Sequence, residues 1–253
     1  MFTVTEAQLL AWITPLLWPF VRALALFASL PVFGQRLVPV RLRVALAFFI
    51  ALAAQPTLPA MPAVPLDSAT AMLLLVQQVI IGVSLGFAVR VIFAAVEMAG
   101  EVIGLQMGLN FASFFDPATA NQTTTAGRVF GSMVALLFIV TNGHLAVIAV
   151  LIQSFQAFPV APEPLAFVQQ MQPQRWASEV FSLGLWIALP LMGMLLFVNL
   201  VLGVISRVAP QINVFAVGFP VTLGVGLIGM LLTLPLMQAP FAMALERMLA
   251  QFR

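Results

Sequence analysis

The 253-residue chain has no cysteine and no tyrosine, one histidine (His144), and only 7% charged residues, where a soluble domain carries about a quarter. All ten basic residues are arginine, so lysine is absent too. Each absence removes a chemistry. Without lysine there is no Walker A phosphate grip and no Schiff-base amine. Without cysteine there is no thiolate nucleophile, no disulfide and no thiolate-bound metal, and one histidine does not make a histidine metal site. Neither a metal nor a cofactor is expected. The isoelectric point near 11.0 would suggest a nucleic-acid partner, but the net charge is only +2. It reflects missing titratable groups, not a basic surface, and no nucleic-acid partner is expected.

What the chain has is apolar length. Val44 to Leu66 is 23 residues without a charge, Ser68 to Val89 is 22, Val129 to Pro162 is 34, Val180 to Ser206 is 27 and Val208 to Leu245 is 38. About 20 apolar residues of helix cross a bilayer core. The expected fold class is therefore all-α: a polytopic helical membrane protein forming a single domain over 1–253. Six long helices are expected near 7–31, 42–55, 69–97, 129–157, 179–206 and 214–239, the second short for a span, with Phe241 to Arg253 as an amphipathic tail. Four prolines between Gln55 and Pro65 make a linker, and Phe158 to Pro164 and Ala209 to Asn213 punctuate later helices. The first charge is Glu6 and Arg22 lies inside the apolar run, so a cleaved signal peptide is not expected.

The stretch from Glu97 to Pro117 behaves differently. Gly100, Gly104 and Gly108 recur at spacing four and place side-chain-free positions on one helix face, which favours close helix packing. Asn110, Ser113, Asp116 and Pro117 then interrupt the helix while Phe111, Phe114 and Phe115 supply three large rings. Irregular backbone at membrane depth is tolerated where it is buried in protein or lines a cavity, so 104–117 reads as a broken helix or loop facing an interior or channel. A surface turn whose rings dip into the interface is the competing reading. Arg90, Glu97 and Glu101, at spacings of seven and four, share one helix face. They form either an ion path or buried ion pairs between helices or subunits. Arg22 carries the same ambiguity and would be costly facing lipid.

Gly82-Val-Ser-Leu-Gly86 matches the G-x-S-x-G nucleophile pattern, which works only on a strained strand-to-helix turn. Here it lies inside an apolar helix, and its glycines read as packing positions. His144, after Asn142-Gly143, reads as a hydrogen-bonded structural residue. No catalytic residue is expected, and the chain does not read as an enzyme.

Several segments together resemble one family. Ala209-Pro-Gln-Ile-Asn-Val-Phe-Ala-Val-Gly-Phe-Pro-Val-Thr222 resembles the signature of the FliR family of flagellar biosynthetic proteins, and Gly104-Leu-Gln-Met-Gly-Leu-Asn-Phe-Ala-Ser-Phe-Phe-Asp-Pro117 is similar to its second characteristic block. Asn142-Gly-His-Leu145 with Phe155-Gln-Ala-Phe-Pro159, and Pro31-Val-Phe-Gly34 with Val38-Pro-Val-Arg-Leu-Arg43, are similar to its middle helix and first connection. The resemblance implies a subunit of the type III export gate in the bacterial inner membrane at the flagellar basal body. One copy would join FliP and FliQ around a protein-conducting channel, with FlhB and FlhA nearby and unfolded flagellar proteins as substrates. It further implies that a loop of this subunit plugs the closed channel. Met107, Phe111, Phe114 and Phe115 would then form the seal, Gly100, Gly104 and Gly108 would pack its helix, and Asp116-Pro117 would end the loop. The virulence-type subunit of the same machinery is a narrower alternative. An ion-coupled transporter using Arg90, Glu97 and Glu101, and an intramembrane protease using Ser84 and His144, are alternatives of other classes.

Overall fold

The computed structural model of the chain describes residues 6–34, 38–109, 124–163, 167, 174–211 and 213–253. Among these residues there are eight α-helices and no strand: α1 Glu6–Ser29, α2 Val40–Ala54, α3 Ala69–Gln106, α4 Thr125–Val140, α5 Gly143–Ala157, α6 Gln174–Val208, α7 Val214–Thr233 and α8 Gln238–Leu249. Four described segments, 40–57, 69–106, 176–208 and 216–233, are long and apolar enough to cross a membrane, or five if α4 and α5 count as one interrupted span. The chain is a polytopic helical membrane protein, as its composition requires.

The departures from expectation have local causes. α2 gains a 3-10 turn at Gln55–Thr57, which brings the apolar segment to 18 residues and makes it long enough to span after all. α3 begins where Ser68 Oγ accepts the Ala71 N–H at 3.1 Å, a side-chain cap after Pro65. It continues to Gln106 instead of ending near residue 97. The single helix expected over 129–157 is two helices. Thr141 turns both its N–H and its hydroxyl back to Leu137 O, and Asn142 takes the left-handed conformation (φ 56°) before Gly143 starts α5. Asn-Gly is a turn dipeptide, so the break was encoded but masked by the surrounding apolar run. α8 buries Phe241, Leu245, Met248 and Leu249, the stripe of an amphipathic tail.

The chain divides into two compact units, 1–91, 142–176 and 245–253 in the first, 92–141 and 177–244 in the second. In the first, Gly82 and Gly86 of α3 let α1 approach: a Cβ at Gly82 would meet Arg22 O and Ala25, and one at Gly86 would meet Ser29 Oγ. The G-x-S-x-G pattern is thus a helix contact. Trp18 packs with Ala71 and Leu74, flanked by Met61 and Val64 of the proline linker, and its indole N–H reaches Pro62 O at 3.4 Å. In the second unit Phe93 meets Phe138 and Phe241 edge-on, while Gly184 and Gly229 receive Met98 and Leu191.

Candidate functional site

The end of α3 is built as a mount for the segment that leaves it. Gly100 lies against Phe130 of α4, where an added Cβ would come 2.8 Å from the ring's stem, and Gly104 is buried. Gly108 has a different task from the packing expected of it. Its φ of 77° is left-handed, its N–H bonds Leu105 O at 3.1 Å and the Leu109 N–H bonds Gly104 O at 3.1 Å. That pair of bonds is the Schellman arrangement that stops a helix, for which glycine at the turn position avoids the Cβ penalty. The returning chain is tied to the same helix. Glu101 Oε1 accepts the Thr124 N–H at 3.0 Å, and Thr124 caps α4 by accepting the Gly127 N–H at 3.1 Å. A carboxylate at a helix N-terminus also faces the favourable end of the helix dipole.

Phe111, Phe114, Phe115, Asp116 and Pro117 lie outside the described residues. Met107 is fully buried, and Gly226 of α7 sits so close that an added Cβ would come 2.6 Å from the Met107 side chain. In this structure Met107 thus anchors the end of α3 against α7. Nor are the three charges buried on the isolated chain: Arg90 and Glu97 are exposed and Glu101 is half-buried. Their helix face is only partly covered, with Glu97 leaning over Gly131 of α4.

Beside this mount is a cavity of about 330 Å³ lined by Gln106, Met107 and Gly108 of the α3 end, Asn199 and Gly203 of α6, and Gly218, Phe219 and Thr222 of α7. The two most characteristic sequence blocks, 104–117 and 209–222, thus supply facing walls of one cavity. Thr222 is buried and turns its hydroxyl back to Gly218 O and Phe219 O. Gln106 Oε1 is buried without a hydrogen-bond partner.

A second polar site lies in the first unit. Arg22 is completely buried, and among the described residues no carboxylate receives it. Its Nε donates to Gln78 Oε1 at 2.7 Å, one Nη to Ser154 Oγ at 2.9 Å and the other to Phe158 O at 2.9 Å, while its guanidinium carbon stands 3.7 Å from the Phe155 ring centroid. Gln78 in turn donates to Gln77 Oε1, and Gln77 bonds Pro159 O and the Ala161 N–H. The cation is met by neutral dipoles and a ring face, joining α1, α3, α5 and the turn after α5. In this structure Arg22 is an internal tie made to neutral partners. Sequence reading missed Gln77, Gln78 and Ser154; the only signal was that a buried arginine needs acceptors. His144 has a buried Nδ1 with no hydrogen-bond partner, contrary to its expected bonding. Among the described residues no group of histidines, cysteines and acids is set to hold a metal.

The family model described as bacterial export proteins, family 1, matches residues 13–248. The flagellar biosynthetic protein FliR of Escherichia coli (strain K12) is 44% identical over 95% of this chain and 92% of its own length. The chain belongs to the FliR family of bacterial export proteins. FliR of Bacillus subtilis (strain 168) is 32% identical over 83% of the chain, and the Yop proteins translocation protein T of Yersinia pestis is 29% identical over 79%. The FliR-family match takes in both the Arg22 tie and the α3 mount. The chain is accordingly an integral membrane component of a bacterial protein export system.

Proposed function

We propose that this chain is the non-enzymatic FliR-type subunit of the flagellar type III export gate. One copy assembles with FliP and FliQ in the inner membrane of the basal body, near FlhB and FlhA, around a channel for unfolded flagellar proteins. The observation that carries the reading is the construction at the two ends of 109–123. The Schellman stop at Gly108 and the Glu101 to Thr124 bond fix both ends to the last turns of α3, and Met107 locks that helix against Gly226. A seal must be displaced by passing chains without unseating its support, and fastening both flanks of the intervening segment to one helix meets that need. The bulky rings of Phe111, Phe114 and Phe115 exclude water and ions from a narrow pore, while Gly100 and Gly104 seat the helix that carries them. Greater identity to the FliR proteins than to the Yersinia protein supports the flagellar branch.

Two measurements test it. Native mass spectrometry of the chain expressed with and without FliP and FliQ is expected to show one large complex holding a single copy; a stable monomer that ignores both partners overturns the gate reading. In bilayers, the complex carrying Phe114→Ala with Phe115→Ala is expected to conduct ions where the parent complex is closed. Unchanged conductance removes these rings from the seal.

A further inference from the structure

Among the described residues, the cavity of about 330 Å³ beside the α3 mount is lined by no charged side chain but by three polar ones from three helices, Gln106, Asn199 and Thr222. Their hydrogen-bonding capacities do not match. Gln106 Oε1 is a buried carbonyl oxygen to which no described group donates. Thr222 spends its single proton on Gly218 O and Phe219 O, so toward the cavity it can only accept. Two acceptors cannot satisfy each other, and a group that donates in more than one direction is needed to meet both.

The cavity also lies within reach of bulk water. α6 ends at Val208 and α7 starts at Val214, and the sequence around their junction carries Arg207, Pro210, Gln211 and Asn213. A polar chain reversal of this kind does not face lipid tails, so it marks the membrane interface. Asn199 stands nine residues before the end of α6 and Thr222 eight residues after the start of α7. At about 1.5 Å per residue, both lie roughly 12–14 Å along the helices from that end. Both helices contain segments apolar enough to cross a membrane, so the cavity runs from the interface to the depth of the lipid tails. An acyl chain offers no donor and would leave Gln106 Oε1 and the exposed Asn199 carboxamide dry. A cationic side chain from a neighbour could donate, but no carboxylate lines the cavity to receive its charge. Water donates twice and accepts twice, and at about 30 Å³ per molecule the cavity takes on the order of ten.

We infer that this cavity is a water-filled notch in the assembled protein, carrying interfacial water about 12 Å into the membrane-spanning part of the chain. Gln106, Asn199 and Thr222 hold that water, which leaves the end of α3 bonded to solvent and free of a second directional tie. The hydration follows from the membrane placement and is independent of what the complex exports. The chain has no cysteine, so one introduced thiol is its only one. A thiol reacts as its thiolate, which needs water around it. Gly203 lines the notch with nothing within 4 Å of an added Cβ, whereas Val201 lies two residues away, about 200° around α6, at the same depth. In native membranes, a membrane-impermeant cationic methanethiosulfonate is expected to modify Gly203→Cys at least tenfold faster than Val201→Cys, read as the mass shift of this chain. Gln106→Leu with Asn199→Leu is expected to bring the Gly203→Cys rate down to that of Val201→Cys. Equal rates in the parent background overturn the inference, whether lipid or a neighbouring chain fills the notch. An unchanged rate in the double leucine variant overturns the assignment of the carboxamides. Hydroxyl-radical footprinting of the unmodified complex needs no variant. Phe219 lines the notch at 44% exposure and Phe197 lies away from it at 66%, yet Phe219 is expected to be oxidised at least fivefold more. The reverse order overturns the inference.

Discussion

Arg22 in the first unit and Met107 in the second are both fully buried, yet their surroundings differ in kind. Arg22 is fixed by three hydrogen bonds and a ring face, every one of which has a required direction. Met107 is fixed by shape alone, its thioether filling the space that Gly226 leaves open. A charge withdrawn from water is tolerable only when paired or hydrogen-bonded, and each Arg22 nitrogen has its own acceptor, so the first arrangement favours one position for α1, α3 and α5. Dispersion contacts are many and individually weak, so the second accepts small displacements. The difference fits the proposed gate, in which the Arg22 tie would serve as a frame and the end of α3 would carry the proposed seal.

The strongest way to break that comparison is Arg22→Met. It strands Gln78, Ser154 and Phe158 O in the interior, and at about 1–3 kcal/mol for each buried acceptor left unsatisfied the expected loss is about 3 kcal/mol or more. At roughly 2–4 °C per kcal/mol for a chain of this size, the melting midpoint of the detergent-solubilised complex falls by about ten degrees or more. Arg22→Lys is expected to recover little, because one ammonium cannot address three acceptors set out in a guanidinium plane. A midpoint unchanged by Arg22→Met would show that the hydrogen-bonded frame carries no stability.

Helix positions were legible wherever punctuation was covalent. Pro65 with Ser68 set the start of α3, and Pro210 closes off α6, which ends at Val208. The ends that were misread depend on tertiary packing. The helix was expected to stop near residue 97; Phe130 fills the space over Gly100, the Glu101 carboxylate receives the Thr124 N–H, and α3 runs on to Gln106. Neither partner is visible from α3's own sequence. The glycines at spacing four were read as one packing set; Gly100 lies against Phe130, but Gly108 takes a left-handed backbone angle, which spacing does not encode. The Arg22 tie was half legible: the cation stands out in an apolar run, whereas the glutamines and the serine that answer it from residues 77, 78 and 154 do not.

Smaller effects sharpen the contrast within the second unit. Gly100→Ala pushes a methyl against the stem of Phe130, a buried ring that cannot retreat without moving α4. Overpacking of this kind costs about 1–3 kcal/mol, and Phe130→Leu is expected to restore part of it, with a coupling of about 0.5–3 kcal/mol in a double-mutant cycle. Met107→Leu should be milder still. It keeps the volume over Gly226 and removes no hydrogen bond, so the expected cost is under about 1.5 kcal/mol and a few degrees in the melting midpoint. The same variant gives up the flexible stem that lets methionine follow a shifting neighbour. Export rate, read from filament growth, is therefore expected to fall more than stability does. If Met107→Leu instead unfolds the complex as Arg22→Met does, the α3 mount is as rigidly specified as the frame, and the division of roles between the two regions fails.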